Sequence, residues 1–223
     1  MNTSSSRLRA FAVVTAVLGW GTLVLKLVVA LQLANEDGRG TIGATIGFFT
    51  AFSIWANILA AVALTALIAP HVALGKYFAR PAGVSAVAAV MLSVALVYSL
   101  LLRATWHPQG LQWVADEGLH DVMPALVLVY WWLAVPRSSL RWGDAPGWTL
   151  YPLAYFAFLM MRGAVSGMYA YHFIDAGFLG YGRVLLNAAG GLLAFLAVSV
   201  ALVAAKSFPR TAQLPNAAPS NPA

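Results

Sequence analysis

The sequence predicts an all-α integral membrane protein, a bundle of six membrane-spanning helices with both termini cytoplasmic. Three observations carry that reading. Of 223 residues, 61% are hydrophobic and only 9% charged (13 Lys or Arg, 7 Asp or Glu), against about 25% charged in a soluble domain. The apolar residues gather in long runs, each near the roughly 20 residues an α-helix needs to cross about 30 Å of hydrocarbon. The basic residues concentrate in alternate gaps between the runs.

The predicted spans are 9–34, 47–70, 82–102, 119–135, 149–169 and 182–205. Arg7 and Arg9 before the first resemble a signal-peptide start, but the apolar stretch that follows is too long for a secretory segment, so it counts as a span. One set of gaps and termini holds Arg7, Arg9, Lys76, Arg80, Arg137, Arg141, Lys206 and Arg210 against Asp144. The other holds Glu36, Asp37, Asp116, Glu117 and Asp175 against Arg39, Arg103 and Arg183. Lys and Arg near span ends are retained inside, so the first set is cytoplasmic. That orientation puts both termini inside, as an even number of spans requires. The chain then divides into a membrane domain, 1–206, and a disordered cytoplasmic tail, 207–223, rich in Pro, Ala, Asn and Ser.

Composition also excludes function classes. Without cysteine there is no disulfide, thiolate nucleophile or Cys-ligated metal. The net charge of +6 is scattered singly between apolar runs rather than clustered on one face, so nucleic acid is not a partner. No internal repeat or pair of broken half-spans marks an inverted-repeat transporter.

Polar side chains at membrane depth cost free energy, and each is therefore a candidate for function. On the second span Thr50, Ser53 and Asn57 fall at i, i+3 and i+7, one stripe of a continuous helix starting three residues inside the outer surface. On the fourth, His120 lies in the first turn, and Pro124 offers no N–H to its carbonyl, so the helix bends at the imidazole. Arg162, Ser166 and Tyr169 close the fifth span, followed by Tyr171, His172 and Asp175, and Lys26 is a charge within the first. One outward-facing pocket collects Lys26, Thr50, Ser53, Asn57, His120, Arg162 and Tyr169.

Such a pocket suits nucleophilic acyl transfer. A threonine hydroxyl attacks at neutral pH only as a base removes its proton, and neutral histidine is the usual base. Thr50 and His120 supply that pair. Asn57 or a backbone N–H is the oxyanion donor, and Arg162 or Lys26 matches a substrate carboxylate. The sequence names no third orienting residue, since Asp121 lies about 100° round the helix from His120.

The run Gly47-Phe48-Phe49-Thr50-Ala51-Phe52-Ser53-Ile54-Trp55-Ala56-Asn57, then Leu119-His120-Asp121-Val122-Met123-Pro124 and Tyr130-Trp131-Trp132-Leu133, resembles the androgen-induced gene and androgen-dependent TFPI-regulating protein family and its bacterial relatives. Tyr151-Pro152-Leu153-Ala154-Tyr155, Arg162-Gly163 and Tyr169-Ala170-Tyr171-His172-Phe173-Ile174-Asp175 extend the resemblance, which covers spans two, four and five in order. It implies a six-span hydrolase of fatty acid esters of hydroxy fatty acids, in a bacterial inner membrane, with Thr50 as nucleophile and His120 as its partner. No cofactor is implied. The chain departs from the family in lacking prolines between Tyr169 and Phe173 and in separating Ser53 from Asn57.

Two other classes fit the same residues. His107, His120 and His172 with Asp116, Glu117, Asp121 or Asp175 would form an outer metal site for binding or transport, although their spacing matches no helical ligand pattern. A lipid-binding scaffold needs none of this chemistry. Singly, Thr50 reads as a back-bonded helix residue and His120 as an interfacial one. Gly163 and Gly167 predict close helix packing, and Trp106, Trp113, Trp142 and Trp148 an interfacial belt.

Overall fold

The computed structural model describes residues 3–38, 40–68 and 73–207, and every regular element among them is helical. The helices are α1 (Thr3–Glu36), α2 (Thr41–Phe48), α3 (Phe52–Ala66), α4 (Ala73–Phe78), α5 (Pro81–Val97), α6 (Gly110–Glu117), α7 (Met123–Ala134), α8 (Asp144–Trp148), α9 (Leu150–Ser166) and α10 (Ala176–Ser207). Two π-helical segments, Tyr98–Leu102 and Gly118–Val122, continue α5 and join α6 to α7. Three described helices, Ser6–Glu36, Pro81–Leu102 and Ala176–Ser207, are long and apolar enough to cross a membrane, and the bent α2–α3 pair makes a fourth. Arg39, the end of the second predicted span and the predicted tail beyond Ser207, with Arg210, lie outside the described residues.

The core is α1, α3, α5 and α7. Their facing positions carry small side chains: Ala12 and Ala16 of α1, Ala56, Ala60 and Ala63 of α3, and Ala88 and Ala89 of α5 are buried. Small residues let helix backbones approach closely, which replaces the hydrophobic driving force that lipid removes. Polar contacts fix the directions. Arg9, at the start of α1, donates to the Ile68 carbonyl just beyond α3 (3.2 Å). Trp131, near the end of α7, donates to Ser85 at the start of α5 (2.8 Å). Each of these pairs is therefore antiparallel. α9 and α10 flank the core, and α10 packs against α5 and α8 and bends at Gly180, whose φ of 74° is left-handed.

Four sequence expectations are corrected. The second span is not one helix: α2 and α3 meet at 68°, and Ala51 between them is extended (φ −77°, ψ 133°). Thr50 therefore sits in the turn, off the stripe of Ser53 and Asn57. Backbone groups at such a break need partners, and tyrosines supply them. Tyr155 donates its hydroxyl to the Thr50 carbonyl (2.5 Å), while Tyr171 accepts the Phe52 N–H (3.1 Å). Second, His120 is not in a first turn, because helix runs unbroken from Gly110 to Ala134. Pro124 does disturb it there: the Met123 N–H reaches back five residues to the Gly118 carbonyl, which makes the π segment. Third, Trp148 is buried in the core, whereas Trp106, Trp113 and Trp142 are exposed.

The fourth concerns Gly163 and Gly167. Gly167 is the left-handed cap that ends α9 (φ 71°). Gly163 packs not under another helix but under the ring of Tyr169, which a Cβ there would overlap. Gly163→Ala should destabilise by about 1–3 kcal/mol, the usual cost of overpacking. Denaturant unfolding in detergent micelles should find much of that loss recovered in Gly163→Ala/Tyr169→Ala, because the three atoms nearest the added Cβ all belong to that ring.

Candidate functional site

Thr50 and His120 are both buried, 6% and 8% exposed. They flank one apolar cluster, in which Leu119 packs with Leu23, Ile54 and Ala61 and with Phe48 and Ala51 alongside. Asn57 ties α3 to the π segment directly, its amide donating to the Leu119 carbonyl (3.1 Å). The two predicted catalytic side chains thus belong to one end of the bundle. No hydrogen bond joins them among the described residues: the Thr50 hydroxyl donates to the Ile46 carbonyl at 2.6 Å, one turn back on α2.

The histidine is held from several directions. Its Nδ1 is 2.8 Å from the main-chain carbonyl of Asp116. A carbonyl only accepts, so Nδ1 carries the proton and Nε2, for which no hydrogen bond is described, is left as the base. The ring stacks on Tyr98 at 4.1 Å with 9° between planes. The Asp116 carboxylate lies 3.6 Å from Nδ1, and Lys26 of α1 holds the same oxygen at 3.1 Å. Burial pushes the Asp116 carboxyl up, but the neighbouring Tyr98 hydroxyl, His120 and Lys26 outweigh it and keep the group below the usual carboxylate range. Its second oxygen, Oδ2, is buried and accepts no hydrogen bond of normal geometry.

Arg103 closes the outside of this group. Its guanidinium lies 4.8 Å from the Tyr98 ring centre and pairs with Glu117 (3.3 Å) and with Asp121. Asp121 thus belongs to Arg103, in keeping with its position round the helix from His120. The carboxylate that the structure places beside the His120 Nδ1 is that of Asp116. The sequence signal for it is the i, i+4 spacing to His120, beside its other readings as a charge marking topology and as a candidate metal ligand. The π segments, frequent at functional sites, give a second signal that sequence does not carry: one begins with Tyr98 and the other contains His120.

The remaining predicted residues are differently employed. Asn57 spends its amide donor on the Ser53 and Leu119 carbonyls, and its Oδ1 is buried without a partner, so it is not a free oxyanion donor. Lys26 is neutralised by Asp116 rather than open to a substrate carboxylate. Arg162 donates to the Met168 carbonyl (2.9 Å), which ties down the turn after α9, and Tyr169 covers Gly163 beside Tyr181. Neither joins the His120 group. Ser53, in the first turn of α3, has a hydroxyl for which no hydrogen bond is described. The N–H groups of Ser53 and Ile54 are likewise unpaired at that helix start, whereas Phe52 is satisfied by Tyr171. An apolar hollow lined by Ala63, Leu64, Phe78, Val84, Val127 and Tyr130 touches neither Thr50 nor His120.

Among the described residues no three His, Asp or Glu side chains gather as a metal site. His172 instead lies against the Phe178 ring, 4.6 Å between centres and tilted by 45°. No family model, no curated protein and no solved structure matches the chain.

Proposed function

We propose that this chain is a six-span membrane hydrolase of lipid esters, acting on fatty acid esters at the outer half of a bacterial inner membrane with both termini cytoplasmic. The observation that carries the reading is the buried imidazole of His120, whose Nδ1 is fixed by an acceptor-only carbonyl so that Nε2 is basic, at the same end of the bundle as a buried threonine beside an open helix N-terminus. The charge pattern and the opposed directions of neighbouring core helices support the topology.

In the proposed reaction the Thr50 hydroxyl leaves the Ile46 carbonyl and its oxygen attacks the ester carbonyl carbon while His120 Nε2 takes the proton. The unpaired N–H groups of Ser53 and Ile54, backed by the α3 dipole, receive the developing oxyanion. The C–O bond then breaks, the departing alcohol takes the proton from His120, and an acyl-threonine remains. Water, deprotonated by the same imidazole, releases the acid and restores the hydroxyl. The ester enters sideways from lipid, and no cofactor takes part.

A second hydroxyl competes for the nucleophile's role, because that of Ser53 is free whereas that of Thr50 is engaged. Labelling by a fluorophosphonate probe, with turnover of a panel of lipid esters, tests both. Thr50→Ala and His120→Ala should each reduce labelling and turnover by about 100-fold or more, and Ser53→Ala should retain them. Loss in Ser53→Ala with retention in Thr50→Ala would move the role to Ser53. A protein that takes up no probe and hydrolyses no ester is not a hydrolase.

A further inference from the structure

Buried carboxylate oxygens are rarely left without a donor, since each such vacancy leaves a desolvated acceptor uncompensated. Asp116 keeps one. The residue is 2% exposed, Oδ1 is shared between Lys26 (3.1 Å) and the His120 Nδ1 edge (3.6 Å), and Oδ2 accepts no hydrogen bond of normal geometry, with the Tyr98 hydroxyl the neighbouring donor to the carboxylate. A side chain serving only to neutralise Lys26 would satisfy both oxygens more cheaply near the surface. This one lies a single helical turn before the imidazole, and its main chain and side chain both face the same ring nitrogen.

We infer that Asp116, anchored by Lys26, is a positioning residue for His120: its carbonyl fixes the ring with the proton on Nδ1, and its under-bonded carboxylate receives that N–H more closely once Nε2 becomes protonated. This inference rests on the hydrolase reading for its use but not for its test. The charged and titratable groups round the imidazole are Lys26 from α1, Tyr98 and Arg103 from the end of α5, and Asp116, Glu117 and Asp121 from its own helix, while α3 presents the neutral Asn57. Of these, Asp116 alone touches Nδ1. Arg103 acts at one remove, through the Tyr98 ring and through Glu117 and Asp121. Lys26 limits the pull of the carboxylate by occupying Oδ1, so that the imidazolium is stabilised when formed without being trapped.

The test is ¹⁵N and ¹H NMR of histidine-labelled protein in lipid nanodiscs, at a pH where the imidazole is neutral and at one where it is protonated, with the His120 signals assigned by their loss in His120→Gln. Wild type should show the Nδ1–H tautomer alone. Asp116→Asn keeps the main-chain carbonyl and should keep that tautomer, but the Nδ1–H proton of its imidazolium should resonate upfield of wild type's, as in a weaker hydrogen bond. Asp116→Glu, which keeps the charge, should stay close to the wild-type shift and guards against a variant that merely fails to fold. The same imidazolium Nδ1–H shift in Asp116→Asn as in wild type would overturn the inference. In the ester assay Asp116→Asn should lower kcat by about 100-fold with KM unchanged. Equal kcat in Asp116→Asn, where Thr50→Ala is inactive, rejects the inference and keeps the hydrolase. Turnover unaffected by every hydroxyl variant rejects the hydrolase and leaves the imidazolium Nδ1–H shift to decide the inference.

Discussion

Replacing Asp116 by leucine should destabilise the fold by about 3 kcal/mol, while the double variant Lys26→Met/Asp116→Leu should return to within about 1 kcal/mol of wild type. Asp116 and Lys26 are 90 positions apart, so the pair fastens α6 to α1. The asymmetry follows from desolvation. Leucine leaves the Lys26 ammonium in an apolar setting with its counter-charge gone, and breaking a buried pair typically costs 3–5 kcal/mol. The Lys26 side chain keeps 22% of its surface, so its long stem can carry the charge partly toward water, which argues for the lower figure. Removing both charges leaves nothing to solvate. The leucine variant retains the main-chain carbonyl that holds His120, so the imidazole should stay in place. Unfolding by denaturant in mixed micelles at two protein concentrations measures both differences. A loss below about 1 kcal/mol in the single variant would mean that water already reaches the pair.

The helices were legible because hydrophobic runs of membrane length have few alternatives. The departures arise where a distant side chain substitutes for the backbone's own partner. Nothing near Thr50 announces the break between α2 and α3. The hydroxyls that make it tolerable come from Tyr155 and Tyr171, over a hundred positions away. Pro124 was legible as a local disturbance, but its resolution as a π turn depends on Met123 reaching Gly118. The charged residues read singly as topology markers, metal ligands or substrate ligands, whereas those nearest the His120 group are each other's partners. Lys26 belongs to Asp116, and Arg103 to Glu117 and Asp121. Arg162 fastens its own turn. His120 stands out in the sequence because an imidazole followed by a proline is conspicuous in an apolar run. The carboxylate beside it was equally visible, but at a predicted span end it has an ordinary explanation as a topology charge.

Lys206→Met should cost about 2–4 kcal/mol, although it removes a buried charge with no carboxylate beside it. Lys206 is 4% exposed. Its ammonium donates to the carbonyls of Trp132 (2.8 Å) and Val135 (2.7 Å) and lies 4.9 and 4.7 Å from the ring centres of Trp131 and Trp132. The sequence gives the reason for this site. In a continuing helix the Trp132 carbonyl would accept the N–H of residue 136, which is proline and has none. Pro136 also drives Val135 into extended backbone (ψ 115°), which ends α7 and turns its last carbonyls loose. The lysine at the end of α10 replaces the missing donor, and its own carbonyl accepts the Ser138 N–H (2.6 Å), locking the outgoing turn. Methionine matches the stem and supplies no proton, so two buried acceptors lose a charge-assisted bond at about 1–3 kcal/mol each, with part of this offset by relief of charge burial. Denaturant unfolding of Lys206→Met in a Pro136→Ala background separates these effects, because alanine restores a main-chain donor for Trp132. The cost of the methionine should then shrink by about 1 kcal/mol. An unchanged cost would assign the stabilisation to the indole rings instead of the carbonyls.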